Sequence, residues 1–185
     1  MALELSGTTG VSLVQDGVVT AADLASGAIT SGALPAGSVL QVVQTVKTNT
    51  FSSTSTSFVD VTGMSATITP SSASNKILVI VNMTVGTPNS NFVLSNLVRG
   101  STTIAQPTTA SSFEASMNSY PGDSLNGANQ IAQVLTWLDS PNTTDATTYK
   151  IQSKTTNVLT FYINSRPVAQ NGTTVSSITL MEIAG

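Results

Sequence analysis

The feature that most constrains this chain is a succession of short apolar segments that alternate with polar residues and show no helical period. β-branched and aromatic residues dominate these segments, while Gly, Pro, Asn and Ser separate them. This pattern predicts many short strands joined by turns, which is typical of an antiparallel sandwich or barrel. The predicted strands are residues 39–46, 57–61, 64–68, 76–85, 92–98, 102–105, 131–138, 147–153, 158–164 and 175–183.

Two of these strands carry apolar side chains on both faces. Residues 77–81 are five consecutive aliphatic residues, and 175–183 has Ile178 and Leu180 on one face with Met181 and Ile183 on the other. A sandwich strand normally turns one face to water. We therefore expect a neighbouring subunit to cover the second face, with loops of the same chain as the alternative cover. The predicted interface residues are Ile77, Val79, Val81, Ile178, Leu180, Met181 and Ile183.

The composition of the chain favours self-association and argues against several other functions. Charged residues make up 8% of the sequence, against about 25% in ordinary globular domains. The six cations are scattered singly and the net charge is −3, so we predict no nucleic-acid partner, because such binding needs clustered cations. The segment 77–81 is too short to cross a bilayer. The N-terminus lacks the cationic and apolar regions of a signal peptide, which predicts synthesis in the cytoplasm.

The sequence offers little catalytic chemistry. The absence of Cys and His excludes disulfides, Ser-His-Asp and Cys-His catalysis, and most zinc and redox-metal sites. We therefore predict no cofactor and no enzyme. Glu114 and Asp123, in one long loop, are the only plausible carboxylate pair for glycoside hydrolysis, and chance explains them better. The polar segment 139–145 does not match the EF-hand spacing and is interpreted as a turn.

The long loop at residues 106–130 is the best sequence candidate for a recognition site, since loops of this length in compact domains are usually functional or disordered. Tyr120 offers a ring on which a sugar could stack, and it has amide and carboxylate groups near it in sequence. The predicted receptor-contact residues are Asn118, Tyr120, Asp123 and Asn126.

Residues 1–37 differ from the rest, because they are rich in Gly, Ala, Ser and Thr and contain a ten-residue repeat, 16–25 followed by 26–35. So short a repeat cannot bury its own apolar face. We predict an extended N-terminal attachment arm at 1–37 and a sandwich domain at 38–185; a flexible linker is the alternative for the arm. The predicted docking residues of the arm are Val11, Leu13, Val18, Leu24, Ile29 and Leu34.

Several phrases resemble fibre and structural proteins of aquatic, largely cyanobacterial, tailed bacteriophages. They include Gly-Ser-Val-Leu-Gln-Val-Val-Gln at 37–44 and Ser-Ile-Thr-Leu-Met-Glu-Ile-Ala-Gly at 177–185. Others stand at residues 10–17, 22–25, 71–79, 97–104 and 138–141. The resemblance implies a structural virion protein, with the arm bound to other virion proteins. A tail or receptor-binding fibre that contacts a host-surface glycan or protein is the first expectation. A head fibre or capsid decoration (cement) protein is the second, and a polysaccharide-cleaving enzyme is the third.

Residues 38–185 are also similar in plan to the trimeric jelly rolls of the tumour-necrosis-factor and complement-head type. This similarity implies about ten strands, a three-fold axis and a last strand close to that axis. It concerns the fold and carries no function by itself. The combined expectation is an all-β, antiparallel jelly-roll sandwich that forms a homotrimer.

Overall fold

The structure, a computed structural model, describes residues 33–87, 92–108, 115–119, 129–166 and 173–185. Within these ranges the chain is all-β, with two antiparallel sheets around one apolar core and no α-helix. The sandwich lies within a compact unit that covers Ala36–Gly185. The predicted attachment arm lies almost wholly outside the described residues and stays a prediction.

The described residues form eleven strands, most of them at positions that the alternating pattern predicts. They are β1 (Val39–Lys47), β2 (Phe51–Ser53), β3 (Val59–Ile68), β4 (Lys76–Thr87), β5 (Val93–Arg99), β6 (Thr102–Ile104), β7 (Met117–Ser119), β8 (Asn129–Asp139), β9 (Thr147–Thr155), β10 (Phe161–Ile163) and β11 (Ser176–Ile183).

The strands divide between a six-stranded and a five-stranded sheet. In the first, the order is β1-β11-β4-β8. The short strand β10 pairs with the last residues of β4, and β2 pairs with the other edge of β10. In the second, the order is β3-β9-β5, and both β6 and β7 pair with the other edge of β5. The strands that start and finish the sandwich are therefore neighbours in space, because β11 lies between β1 and β4.

Four elements differ from the predicted pattern. One is β10, which covers only Phe161–Ile163 of the strand predicted at 158–164. Residues 57–61 and 64–68 belong to one strand, because Gly63 adopts a φ of 85° and produces a bulge rather than a break. The short strand β2 has too little alternation to be recognised. The strand β7 lies inside the predicted loop 106–130, where three residues pair with β5.

Five of the seven predicted interface residues lie in the core of the sandwich. They are Ile77, Val79, Val81, Ile178 and Leu180, each with 0% exposure. The prediction that these five contact another subunit is therefore wrong, because they pack against the five-stranded sheet of the same chain. The two-faced character of the strands is nevertheless correct, since the opposite face of β4 and β11 is also apolar.

The two ends of the sandwich carry different loops. At one end, the entry end, the chain joins the sandwich at Gly37, whose N–H donates to the carbonyl of Ala184 at 2.8 Å. The loops β3–β4 and β8–β9 and the β5–β6 turn lie at this end, as the strand registers require. At the opposite end, the far end, β7 finishes at Ser119 and β8 starts at Asn129.

Candidate functional site

The face of the six-stranded sheet that points away from the core carries an apolar row. Val42 of β1 is opposite Met181 of β11, Met181 is opposite Leu78 of β4, and Leu78 is opposite Leu138 of β8. We call these four residues the outer row. Because neighbouring strands are about 4.8 Å apart, the outer row forms a continuous apolar band across four strands.

The outer row is open to solvent and lies on a surface with few charges. Val42 is 55% exposed and Leu138 is 48% exposed, while Leu78 and Met181 are half-buried. Ile80, two residues after Leu78 on the same face of β4, extends the apolar surface along the sheet. The next two cross-strand rows towards the far end contain only uncharged residues, namely Gln44, Thr179, Ile80, Thr136, Val46, Ser177, Asn82 and Val134. The row on the entry-end side contains Ile183 and the exposed cation Lys76. A second protein surface could therefore cover the outer row and the two rows on its far-end side without desolvating a charge.

The apolar surface continues to the outer edge of β8. Among the described residues, β8 pairs with β4 alone. Trp137 is opposite Val79, on the core side of the sheet, yet it is 40% exposed because it lies at this edge. Val134 on the outer side is 62% exposed. An unpaired edge with exposed apolar side chains readily associates with another chain.

A buried carboxylate fixes β11 in the sheet that bears the outer row. Glu182 is 1% exposed. Its Oε1 accepts hydrogen bonds from the backbone N–H and hydroxyl of Ser71 at 2.6 and 2.8 Å and from Asn75 Nδ2 at 2.6 Å. Its Oε2 accepts one from Gln41 Nε2 at 2.6 Å. The side chain thus joins the β3–β4 loop, β1 and β11 at the entry end.

The ionised form of Glu182 is favoured by these neutral donors. Burial acts to raise the pKa of the Glu182 carboxyl, but the hydrogen bonds from Asn75, Gln41 and Ser71 outweigh it and hold the pKa below its usual value. The hydrogen bonds use both carboxylate oxygens, and Glu182 makes no ion pair among the described residues. We therefore assign it a structural role.

A second polar cluster links the two sheets at the entry end. Arg99 Nη1 donates to both carboxylate oxygens of Asp139, at 3.0 and 2.8 Å. The fully buried Tyr149 hydroxyl donates to Asp139 Oδ2 at 2.7 Å. Burial, and then the hydrogen bond to Asp139, raise the pKa of Tyr149 far above its usual value. The phenol therefore stays protonated at pH values where a free tyrosine would ionise.

Removing the Tyr149 hydroxyl should destabilise the sandwich measurably. Tyr149→Phe removes one charge-assisted hydrogen bond to a carboxylate that is only 7% exposed, so we expect the free energy of unfolding to fall by about 2 kcal/mol. Urea denaturation measures the change. Tyr162→Phe is the matched control, since the half-buried Tyr162 has no hydrogen-bond partner among the described residues, and it should alter stability by less than about 0.5 kcal/mol. Equal effects of the two variants would contradict the role assigned to the Tyr149 hydroxyl.

Only some of the remaining predicted site residues lie in the described part of the chain. Met181 and Ile183 lie on the outer face of β11 and are half-buried. Leu34 of the predicted arm is 39% exposed. The receptor-contact residues Tyr120, Asp123 and Asn126 lie outside the described residues, as do the other arm residues; Asn118 is described only by its backbone, in β7. Those assignments stay predictions.

Sequence reasoning did not assign Val42, Leu78 and Leu138 to a site. The signal was present, because each stands in the phase opposite to the core residues of its own strand. What the alternation cannot show is that these three positions and Met181 align across four strands, since this depends on the pairing of segments far apart in the chain.

Comparison with known proteins gives no match, either among protein-family models or among curated proteins. Within the described ranges, no helix is long and apolar enough to span a membrane. In the same part of the chain, no three His, Cys, Asp or Glu side chains are grouped to hold a metal ion.

Proposed function

We propose that this chain is a structural virion protein of a tailed bacteriophage, a tail or receptor-binding fibre that mediates host attachment without catalysing a reaction. The observation that carries the proposal is the exposed apolar outer row, which lies beside two uncharged rows and continues to the edge of β8 that pairs with no strand among the described residues. An exposed apolar surface of this kind marks an interaction site. The phage-like phrases of the sequence supply the biological setting.

The strand order supports a jelly-roll assignment for the sandwich. We set aside the short strands β2 and β10 and take β6 and β7 as one interrupted strand. The eight remaining strands then follow the order 1-8-3-6 in one sheet and 2-7-4-5 in the other. This is the order of a jelly roll built from two Greek keys.

A second copy of the chain is the proposed occupant of the outer face. The face and the β8 edge are different surfaces, so an edge that packs on the face of the next copy makes a heterologous contact. Such contacts form a closed ring when the rotation between copies allows it. Three copies are the proposed number, in keeping with the trimeric jelly rolls that the sequence resembles in plan.

The far end is the proposed site of host contact. The predicted receptor loop falls between the strand end at Ser119 and the strand start at Asn129, opposite the end where the N-terminal segment joins the sandwich at Gly37. In a trimer, three copies of the loop would act together, and multivalency strengthens weak individual contacts. A host-surface glycan or protein is the proposed ligand, and other virion proteins are the proposed partners of residues 1–37.

Locating the protein on virus particles tests the proposal. Gold-labelled antibodies against residues 36–185 should bind at the tail of the particle, and the purified protein should compete with particles for adsorption to host cells. Label on the capsid without competition would replace the fibre proposal with a head fibre or decoration protein. Absence of the chain from purified particles would contradict a virion role altogether.

A further inference from the structure

A small pocket lies at the entry end, between the β5–β6 turn and the β8–β9 loop. Its volume is about 270 Å³, and its walls include Arg99, Gly100, Pro141, Thr143 and Ala146. Pockets for drug-sized ligands are about 300–1,000 Å³, so this one suits a ligand the size of a single sugar ring. Its walls include no residue of the outer row.

Arg99 is the charged residue in the wall of this pocket. Its Nη1 is occupied by the Asp139 carboxylate and by the Ser140 carbonyl, the latter at 3.3 Å. These bonds use Nη1 alone, and the guanidinium also interacts with the Tyr149 hydroxyl. Because Asp139 and Tyr149 hold the guanidinium in place, a ligand would meet a pre-organised group and would not have to order it.

The other walls complete a site that favours hydrogen-bond acceptors. The hydroxyl oxygen of Thr143 accepts the N–H of Asp145 at 3.0 Å, so its own O–H is left to donate. Gly100, at a φ of 59°, has no side chain, and a Cβ atom there would have no neighbour within 4 Å. A ligand can therefore approach the turn closely, and the Pro141 ring offers an apolar wall.

We propose that this pocket binds the carboxylate of a single acidic sugar ring of the uronic acid type. The Nε–H and Nη2–H bonds of an arginine point in parallel and match the two oxygens of a carboxylate. Thr143 donates to a ring hydroxyl, and Pro141 packs against the ring. Because the Asp139 carboxylate neutralises much of the charge of Arg99, the ligand is selected by the directions of the hydrogen bonds and not by net charge. For the same reason, a single pocket binds the ligand weakly. The inference does not depend on the proposed viral function.

Saturation-transfer NMR on the full chain tests the ligand class. We expect sodium glucuronate to bind with a dissociation constant in the millimolar range. Glucose has the ring without the carboxylate, and acetate has the carboxylate without the ring, so both should bind at least tenfold more weakly. Glucose or acetate binding as well as glucuronate would overturn the proposal.

Substitutions in the wall of the pocket test its location. Ala146 is exposed, so Ala146→Trp should fold normally and fill the pocket, which should weaken glucuronate binding at least tenfold. Arg99→Lys keeps the charge but removes the parallel donors and should have a similar effect. Lys76→Gln removes an exposed cation elsewhere and should leave binding unchanged. Undiminished binding by folded Ala146→Trp, or an equal loss in Lys76→Gln, would show that glucuronate binds elsewhere and overturn the assignment.

Discussion

Val42→Glu and Leu138→Glu are each expected to dissociate the proposed trimer into folded monomers. Each variant places a carboxylate in the outer row, where assembly would have to bury it; the cation Lys76 lies in the next row and not in the outer row itself. Burial of an unpaired charge costs at least about 3 kcal/mol, which corresponds to a more than hundredfold weaker association. Both side chains are about half exposed in the single chain, so the sandwich itself should tolerate the change. Sedimentation velocity over a micromolar concentration series measures the result.

Ser65→Glu is the matched control for the outer row. Ser65 is exposed on β3, in the five-stranded sheet, so the variant adds the same charge outside the proposed interface and should stay assembled. Circular dichroism would show whether all three variants keep their β structure. A wild-type chain that sediments as a monomer, or outer-row variants that remain trimeric, would contradict the proposed self-association.

Glu182→Ala is expected to lower the free energy of unfolding by about 3 kcal/mol, because it leaves several donors unpaired in a buried place. The donors are Ser71 N–H, the Ser71 hydroxyl, Asn75 Nδ2 and Gln41 Nε2. Gln41 Nε2 and Asn75 Nδ2 each keep one other acceptor, the carbonyl of Thr69 and the hydroxyl oxygen of Ser71, whereas the Ser71 N–H and hydroxyl lose the acceptor they share. Urea denaturation at neutral pH measures the loss.

The pH dependence of stability gives Glu182 a second test. Its pKa is lower in the folded chain than in the unfolded chain, so its contribution is present above the unfolded pKa and is lost as the pH falls through the folded pKa. The difference between wild type and Glu182→Ala should therefore shrink in acid. Asp60→Ala is the control, since Asp60 is an exposed carboxylate bonded to Lys150 and Gln152; it should cost less than about 1 kcal/mol. A difference that is constant with pH would contradict this role for Glu182.

Local pattern was enough to predict the class of fold and most of the strands. Alternation of apolar and polar residues defines β1 and β9, and the continuous apolar run of residues 77–81 defines β4. The strand prediction failed where the alternation is too short to recognise, as in the three-residue strands β2 and β7. It also failed at Gly63, which was interpreted as a break between two strands but forms a bulge within one strand.

The functional surfaces were harder to predict because they depend on long-range pairing. For a strand that is apolar on both sides, the sequence cannot say which side the same chain covers, and the side containing Ile77 and Val79 was assigned wrongly. The Glu182 network joins residues 107 to 141 positions apart. The pocket at Arg99 likewise requires the β5–β6 turn and the β8–β9 loop to meet, which no local pattern reports.

The position of β11 has a consequence for how the chain folds. In the described structure, β11 is the only strand that pairs with β1, and Gln44 of β1 bonds to Thr179, which lies 135 positions later. During synthesis, β1 therefore leaves the ribosome long before its partner exists. Pairing at such separation slows folding and leaves intermediates prone to aggregate. Association between copies is thus expected to follow release from the ribosome. A truncation that removes β11 should give an insoluble product, because β1 and β4 would both lose their common partner strand.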